Sequence, residues 1–139
     1  MANSSEIFRD WIEHDYISGF YGASITPSSP ITQIYLKKPL QFDAVIKNES
    51  PYTIPLSGNK SGVHFAAIIE KADGSWRREK RGEFIELDLT PGKSVELHMK
   101  LPRVPKPGDY SITLDLVEER VAWFHEMGSP AYQTNVAAR

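Results

Sequence analysis

Apolar and polar residues alternate along most of this chain with a period of two, which is the pattern of half-buried β-strands. The clearest example follows the turn Pro107–Gly108. Its apolar positions are Tyr110, Ile112, Leu114 and Leu116. Between them lie Ser111, Thr113 and Asp115, which we expect on the opposite, polar face of the strand.

Further strands are predicted on both sides of this segment, separated by turns rich in proline, glycine, serine and asparagine. They cover residues 22–26, 33–36, 40–47, 63–70, 83–89, 94–101, 121–124 and 132–136. Residues 51–62 are predicted to form a long loop, and residues 72–75 a tight hairpin turn. Tyr110 directly follows a Pro-Gly turn, as does the tyrosine corner of Greek-key sandwiches. We therefore predict an all-β fold, an immunoglobulin-like antiparallel β-sandwich of about seven to nine strands.

The first part of the chain follows a different period. Ile7, Phe8, Trp11, Ile12 and Tyr16 are spaced as on one face of a helix. We expect a short amphipathic helix over residues 5–16, and we divide the chain into an N-terminal helix or arm (1–22) and a sandwich domain (23–139). The apolar stripe either covers an open end of the sandwich, belongs to a preceding domain or docks on a partner.

Composition excludes several classes of function. With 139 residues the chain is long enough for one domain with a real core. A net charge of -2 does not suit a nucleic-acid partner. There is no cysteine, hence no disulfide and no thiolate site. No apolar run is long enough for a membrane span, and the first residues lack the regions of a signal peptide, so we expect a cytoplasmic protein.

The sequence offers no convincing catalytic or metal-binding constellation, and we expect no cofactor and no enzymatic activity. The four histidines are scattered: His14, His64, His98 and His125. Four carboxylates surround one predicted hairpin: Asp115, Glu118, Glu119 and Glu126. Charges on a turn usually form a solvated rim. A small glycoside hydrolase using the Glu118/Glu126 region remains a third hypothesis, because paired carboxylates serve that reaction.

Aromatic residues with polar neighbours are the better candidates for a ligand site. Flat rings stack on the apolar C–H faces of sugars, while charged and amide groups bind the hydroxyls. The candidate residues are Tyr52, Trp76, Arg78, Trp123, His125 and Glu126. The alternative for each tryptophan is a place in the core or in an interface.

Several motifs together resemble a known class of domain. They are Pro107–Tyr110, Leu114–Glu119, Trp123–Phe124 and Gly128, with the strand end Val45–Ser50 and the turn Leu89–Ser94. This combination is similar to immunoglobulin-like accessory modules appended to bacterial glycosyltransferases and methyltransferases of surface-polysaccharide assembly. It is also similar in plan to the glycan-recognising C-terminal domain of O-antigen export ATPases. The resemblance covers roughly residues 33–137 and implies no catalytic residue. Trp123 and Glu118 are signature positions.

The resemblance implies a non-catalytic binding or accessory module of bacterial glycan assembly, which contacts carbohydrate or a sister catalytic domain. The alternative is a structural module that docks on another protein through a strand edge or the N-terminal helix. The ligand, the oligomeric state and the choice between an excised domain and a free-standing protein stay open.

Overall fold

The computed structural model describes residues 22–139. The predicted helix over residues 5–16 lies outside the described residues, as does nearly all of the predicted arm. The described part is almost entirely β-structure, which confirms the all-β prediction. The strands are β1 (Ala23–Pro27), β2 (Gln33–Ile34), β3 (Gln41–Asn48), β4 (Ile54–Leu56), β5 (Val63–Lys71), β6 (Arg77–Arg81), β7 (Leu87–Leu89), β8 (Ser94–Lys100), β9 (Gly108–Glu118), β10 (Ala122–Trp123) and β11 (Tyr132–Ala138). A single 3₁₀ turn, Phe124–Met127, follows β10.

The strands form two sheets. The small sheet has the order β1-β3-β8 and is antiparallel. The large sheet has the order β2-β11-β9-β5-β4-β7, with β6 paired to β5 and β10 paired to β9. Most of its pairs are antiparallel, but β2 runs parallel to β11 and β4 runs parallel to β5. The arrangement is therefore mixed, whereas the sequence pattern suggested antiparallel pairing throughout.

One hydrophobic core joins residues of both sheets. Ile46 of β3 and Met99 of β8 pack in the same cluster as Phe65 of β5 and Leu114 of β9, and all four are inaccessible to solvent. Tyr110 is buried at the start of β9, and its hydroxyl donates a hydrogen bond of 2.7 Å to the carbonyl of Lys106. A tyrosine that bonds back to the chain just upstream is the tyrosine corner expected from the sequence.

Two predictions of local structure were wrong. The strand predicted over residues 83–89 is limited to β7, because the chain crosses between the sheets at this point. The Glu83 amide donates to the His98 carbonyl of β8, while the Gly82 amide donates to the Phe65 carbonyl of β5. The predicted loop 51–62 contains β4, whose ends Ile54 and Leu56 are buried. No strand was predicted over β6, since its consecutive charged residues lack alternation.

The large sheet has a core face and an outer face, which strand alternation defines. Phe65 and Leu116 are cross-strand partners on the core face, so their neighbours Ala66 and Asp115, which are also paired, lie on the outer face. Trp123 pairs with Val117 and therefore lies on the outer face too. This face positions the candidate site.

Candidate binding site

A cluster of polar and aromatic side chains occupies one end of the outer face, where β5, β6, β9 and β10 meet. We call it the outer-face network; its members are His64, Arg81, Asp115, Glu119, Trp123 and His125. They come from three places in the sequence that the sheet brings together. Ala66 is paired with Asp115 on one side and with Arg81 on the other.

The Asp115 carboxylate holds the start of the 3₁₀ turn. Its Oδ2 accepts hydrogen bonds from the backbone amide of His125 at 2.8 Å and from Nδ1 of the same residue at 2.6 Å. Asp115 is 1% exposed, and burial raises its pKa even though the bonds from His125 favour the charged form. The imidazole of His125 is thereby held by its Nδ1 atom.

A second carboxylate links two strands and a loop. Glu119 accepts a forked pair of hydrogen bonds from Arg81, at 2.8 and 2.9 Å. It also contacts Nδ1 of His64 at 2.6 Å. His64 is buried, and its Nε2 lies 2.5 Å from the Asn59 carbonyl. Each ring nitrogen of His64 thus faces an acceptor oxygen.

The environment of this ion pair favours its charged forms. Burial alone would raise the pKa of Glu119, but the hydrogen bonds from Arg81 and His64 outweigh it, so the pKa lies below its ordinary value. The hydrogen bonds to Glu119 raise the pKa of Arg81 against the opposing effect of burial. The Nη1 group of Arg81 also donates to the Glu79 carboxylate at 3.4 Å, so the guanidinium bridges two carboxylates.

Aromatic rings continue the network on both sides. Phe84 stacks on His64 with the ring centroids 3.8 Å apart and the planes 9° from parallel. The guanidinium of Arg81 lies 5.5 Å from the ring centroid of Trp123, within cation–π range. The ring of Trp123 lies 5.9 Å from that of His125. Trp123 is half-buried, so part of the residue is exposed to solvent.

The structure brings three of the six predicted site residues together. Trp123 and His125 belong to the network, and the Glu126 carboxylate accepts the backbone amide of Trp123 at 2.8 Å. Gly128, with φ of 93°, then ends the 3₁₀ turn in the left-handed conformation that glycine adopts without strain. These residues form one rigid corner at the end of β10.

The other predicted residues lie elsewhere. Trp76 contacts Tyr110 edge-on at 5.9 Å, and Arg78 lies 5.1 Å from the Trp76 ring centroid. This pair is at the opposite end of β5, on the core side of the sheet, since Tyr110 is a core residue opposite Lys71. Tyr52 lies between β3 and β4, where its carbonyl accepts the side-chain amide of Asn48.

Sequence reasoning missed Asp115, Glu119, His64 and Arg81 as members of a site. The expectation of a solvated acidic rim was wrong for Asp115 and Glu118, which are 1% and 2% exposed. Nor do Glu118 and Asp115 share a face, because they are an odd number of residues apart on β9. The only signal in the sequence was that several acidic residues, a histidine and a tryptophan cluster around one turn.

The described residues contain no group of three metal-ligating side chains. In the same part of the chain, no helix is both long and apolar enough to cross a bilayer.

No protein-family model and no curated protein matches this sequence. Among solved structures, the chain is similar to a mutant β-glucosidase from Listeria innocua in complex with laminaribiose, with a TM-score of 0.51 and 14% identity, over 84% of this chain and 16% of that one. It is also similar to the CARDB domain of a Pyrococcus furiosus protein in complex with di-metal ions, with a TM-score of 0.46 and 12% identity, over 84% of this chain and 90% of that one. The chain thus spans about a sixth of the glucosidase, and that likeness concerns the fold alone.

Proposed function

We propose that this chain is an immunoglobulin-like β-sandwich that acts as a non-catalytic, carbohydrate-binding accessory module of bacterial glycan assembly. Its sandwich character is supported by the shared core between the two sheets and by the Tyr110–Lys106 bond. The bacterial setting rests on the resemblance of the sequence motifs to accessory modules.

The observation that carries the proposal is the way Trp123 is held. Arg81 lies over its ring, His125 lies beside it, and the Glu126 side chain bonds to its backbone. A half-buried indole that is fixed before binding loses little conformational freedom when a ligand stacks on it. The neighbouring imidazole is oriented by Asp115 and offers a polar group to a sugar hydroxyl.

A sister catalytic domain or another protein is the alternative partner. Docking through the exposed edge of β6 has little support, because this strand carries five consecutive charged residues, a composition that discourages strand addition. A hydrolase using Glu118 and Glu126 has less support still. Glu118 is buried on the core side of β9, and the Glu126 carboxylate already bonds to the Trp123 amide.

A glycan-array screen of the purified chain tests the proposal. We expect binding to a bacterial surface polysaccharide that is lost in Trp123→Ala and in His125→Ala. Trp76→Ala is the matched control, since Trp76 is the other described tryptophan and lies at the far end of β5 on the core side. Each variant is checked for folding by circular dichroism. If the folded wild-type chain bound no glycan on the array, the result would contradict the carbohydrate proposal and favour a protein partner.

A further inference from the structure

The outer face of the large sheet carries a second feature beyond the outer-face network. An open depression with a volume of about 580 Å³ lies at the other end of β9. Its polar lining includes Glu70, Asp109, Ser111 and Asn135. Ser111 is paired with Glu70 on one side and with Asn135 on the other, so the three side chains form a row across β5, β9 and β11.

A second row connects this depression to the network. Thr113 lies two residues further along β9 and is paired with Gln133 of β11. Asp115, which holds His125, follows after two more residues. The outer-face side chains of β9 therefore lie in one line from the depression to Asp115, where the 3₁₀ turn that follows Trp123 covers the strand. Asp115 and Ser111 are four residues apart, a distance of about 13 Å along an extended strand.

The central part of this track is neutral and rich in hydrogen-bonding groups, whereas the depression at its end is also lined by Glu70, Lys71 and Asp109. Its central positions on β9 and β11 are two hydroxyls and two amides: Ser111, Thr113, Gln133 and Asn135. Within residues 22–139, none of these four side chains makes a hydrogen bond. Hydroxyls and amides both donate and accept, which is the complement of a sugar hydroxyl. A charged polymer would find no row of opposite charges here.

We propose that this track binds an extended, neutral, β-linked polysaccharide chain, with one sugar stacked on Trp123 and further units lying over β9 and β11 as far as the depression. The inference rests on the proposed function and adds the length and shape of its ligand. The row of side chains follows two neighbouring strands, which suits an extended chain. A short or branched saccharide would occupy only the Trp123 end and leave the depression empty.

Binding of cellobiose, cellotetraose and cellohexaose, measured by titration calorimetry on the full chain, tests the inference. We expect cellohexaose to bind at least about tenfold more tightly than cellobiose, since the longer chain gains contacts at the far end. Asn135→Ala is expected to weaken cellohexaose binding by about fivefold, the effect of one lost hydrogen bond. The same substitution should leave cellobiose binding unchanged.

Gln41→Ala is the matched control, because it removes an exposed amide from β3 of the other sheet. Equal affinity for the three saccharides, or no binding of any, would overturn the inference. An equal loss of cellohexaose affinity in Asn135→Ala and Gln41→Ala would also overturn the inference. Failure here is distinct from failure of the proposed function. Trp123-dependent binding of a charged or branched glycan on the array would leave that function standing and refute the extended neutral chain.

Discussion

The ion pair between Arg81 and Glu119 should contribute more to stability than an ordinary surface salt bridge. Its forked geometry joins both oxygens of the carboxylate to the guanidinium. The two side chains are 31% and 16% exposed, which places the pair between the exposed and buried cases. Exposed pairs contribute about 0.2–1 kcal/mol, and breaking a buried pair costs about 3–5 kcal/mol.

We therefore expect Arg81→Met to lower the free energy of unfolding by about 2–3 kcal/mol, an intermediate value. For a chain of this length, the melting temperature should fall by about 6–10 °C. The coupling energy of the pair is isolated by a double-mutant cycle with Glu119→Gln, measured by urea denaturation. Loss of the Arg81 contact with Trp123 occurs on both sides of the cycle and cancels. The expected coupling is about 1–3 kcal/mol.

The pair Arg77–Glu79 on the same strand gives a matched control. Its nitrogen and oxygen atoms are 3.0 Å apart, but the side chains are 45% and 38% exposed. The corresponding cycle should give a coupling below about 1 kcal/mol. If the Arg81–Glu119 coupling were below about 0.5 kcal/mol, or no larger than that of the control pair, the idea that burial strengthens this pair would be refuted.

Three further substitutions test the fold and the charge state. Tyr110→Phe removes the bond to the Lys106 carbonyl and should cost about 0.5–1.5 kcal/mol, measured by urea denaturation. Gly82→Ala places a Cβ 2.6 Å from Cδ2 of Phe65 in the core, and thermal unfolding should show a loss of about 1–3 kcal/mol. The pKa of Glu119 is lowered on folding, so its stabilising effect is present above its ordinary pKa of 4.5 and is lost as the pH falls below that value. The difference in the free energy of unfolding between wild type and Glu119→Gln should therefore become smaller as the pH falls below 4.5.

Each of these expectations has an outcome that contradicts it. A Tyr110→Phe variant as stable as wild type would show that the corner bond is replaced by water at no cost. Unchanged stability of Gly82→Ala would mean that the two sheets do not approach closely at this crossing. A stability gap for Glu119→Gln that stays constant from pH 7 to pH 3 would show that the carboxylate is not paired in solution.

The strand content was predictable because alternation depends only on local burial. Residues 94–101 and 109–116 alternate strictly; the first segment covers β8 and the second lies within β9. The tyrosine corner was equally visible, since turn and tyrosine are adjacent in sequence. By contrast, β6 has charged residues at every position and β4 has only three residues. Neither leaves a periodic signal, and only pairing with neighbouring strands makes them strands: β6 pairs with β5, and β4 pairs with β5 and β7.

The network was only partly predictable, for a related reason. Trp123, His125 and Glu126 are close in sequence, so their proximity was expected. Asp115 was placed on a polar face, as observed, but its burial under the 3₁₀ turn depends on how the chain returns after β10. His64 and Arg81 reach Glu119 only through the register of the sheet. Register over more than 30 residues is not encoded in any local pattern.

The most direct test of the central claim is a nuclear magnetic resonance titration that maps where a saccharide binds. Amide shifts of the labelled chain are followed during titration with the polysaccharide fragment that binds best on the array. The account predicts perturbed amides around Trp123 and His125 and along the outer face of β9 and β11. Perturbations confined to the small sheet, or to the surroundings of Tyr52 or Trp76, would contradict it.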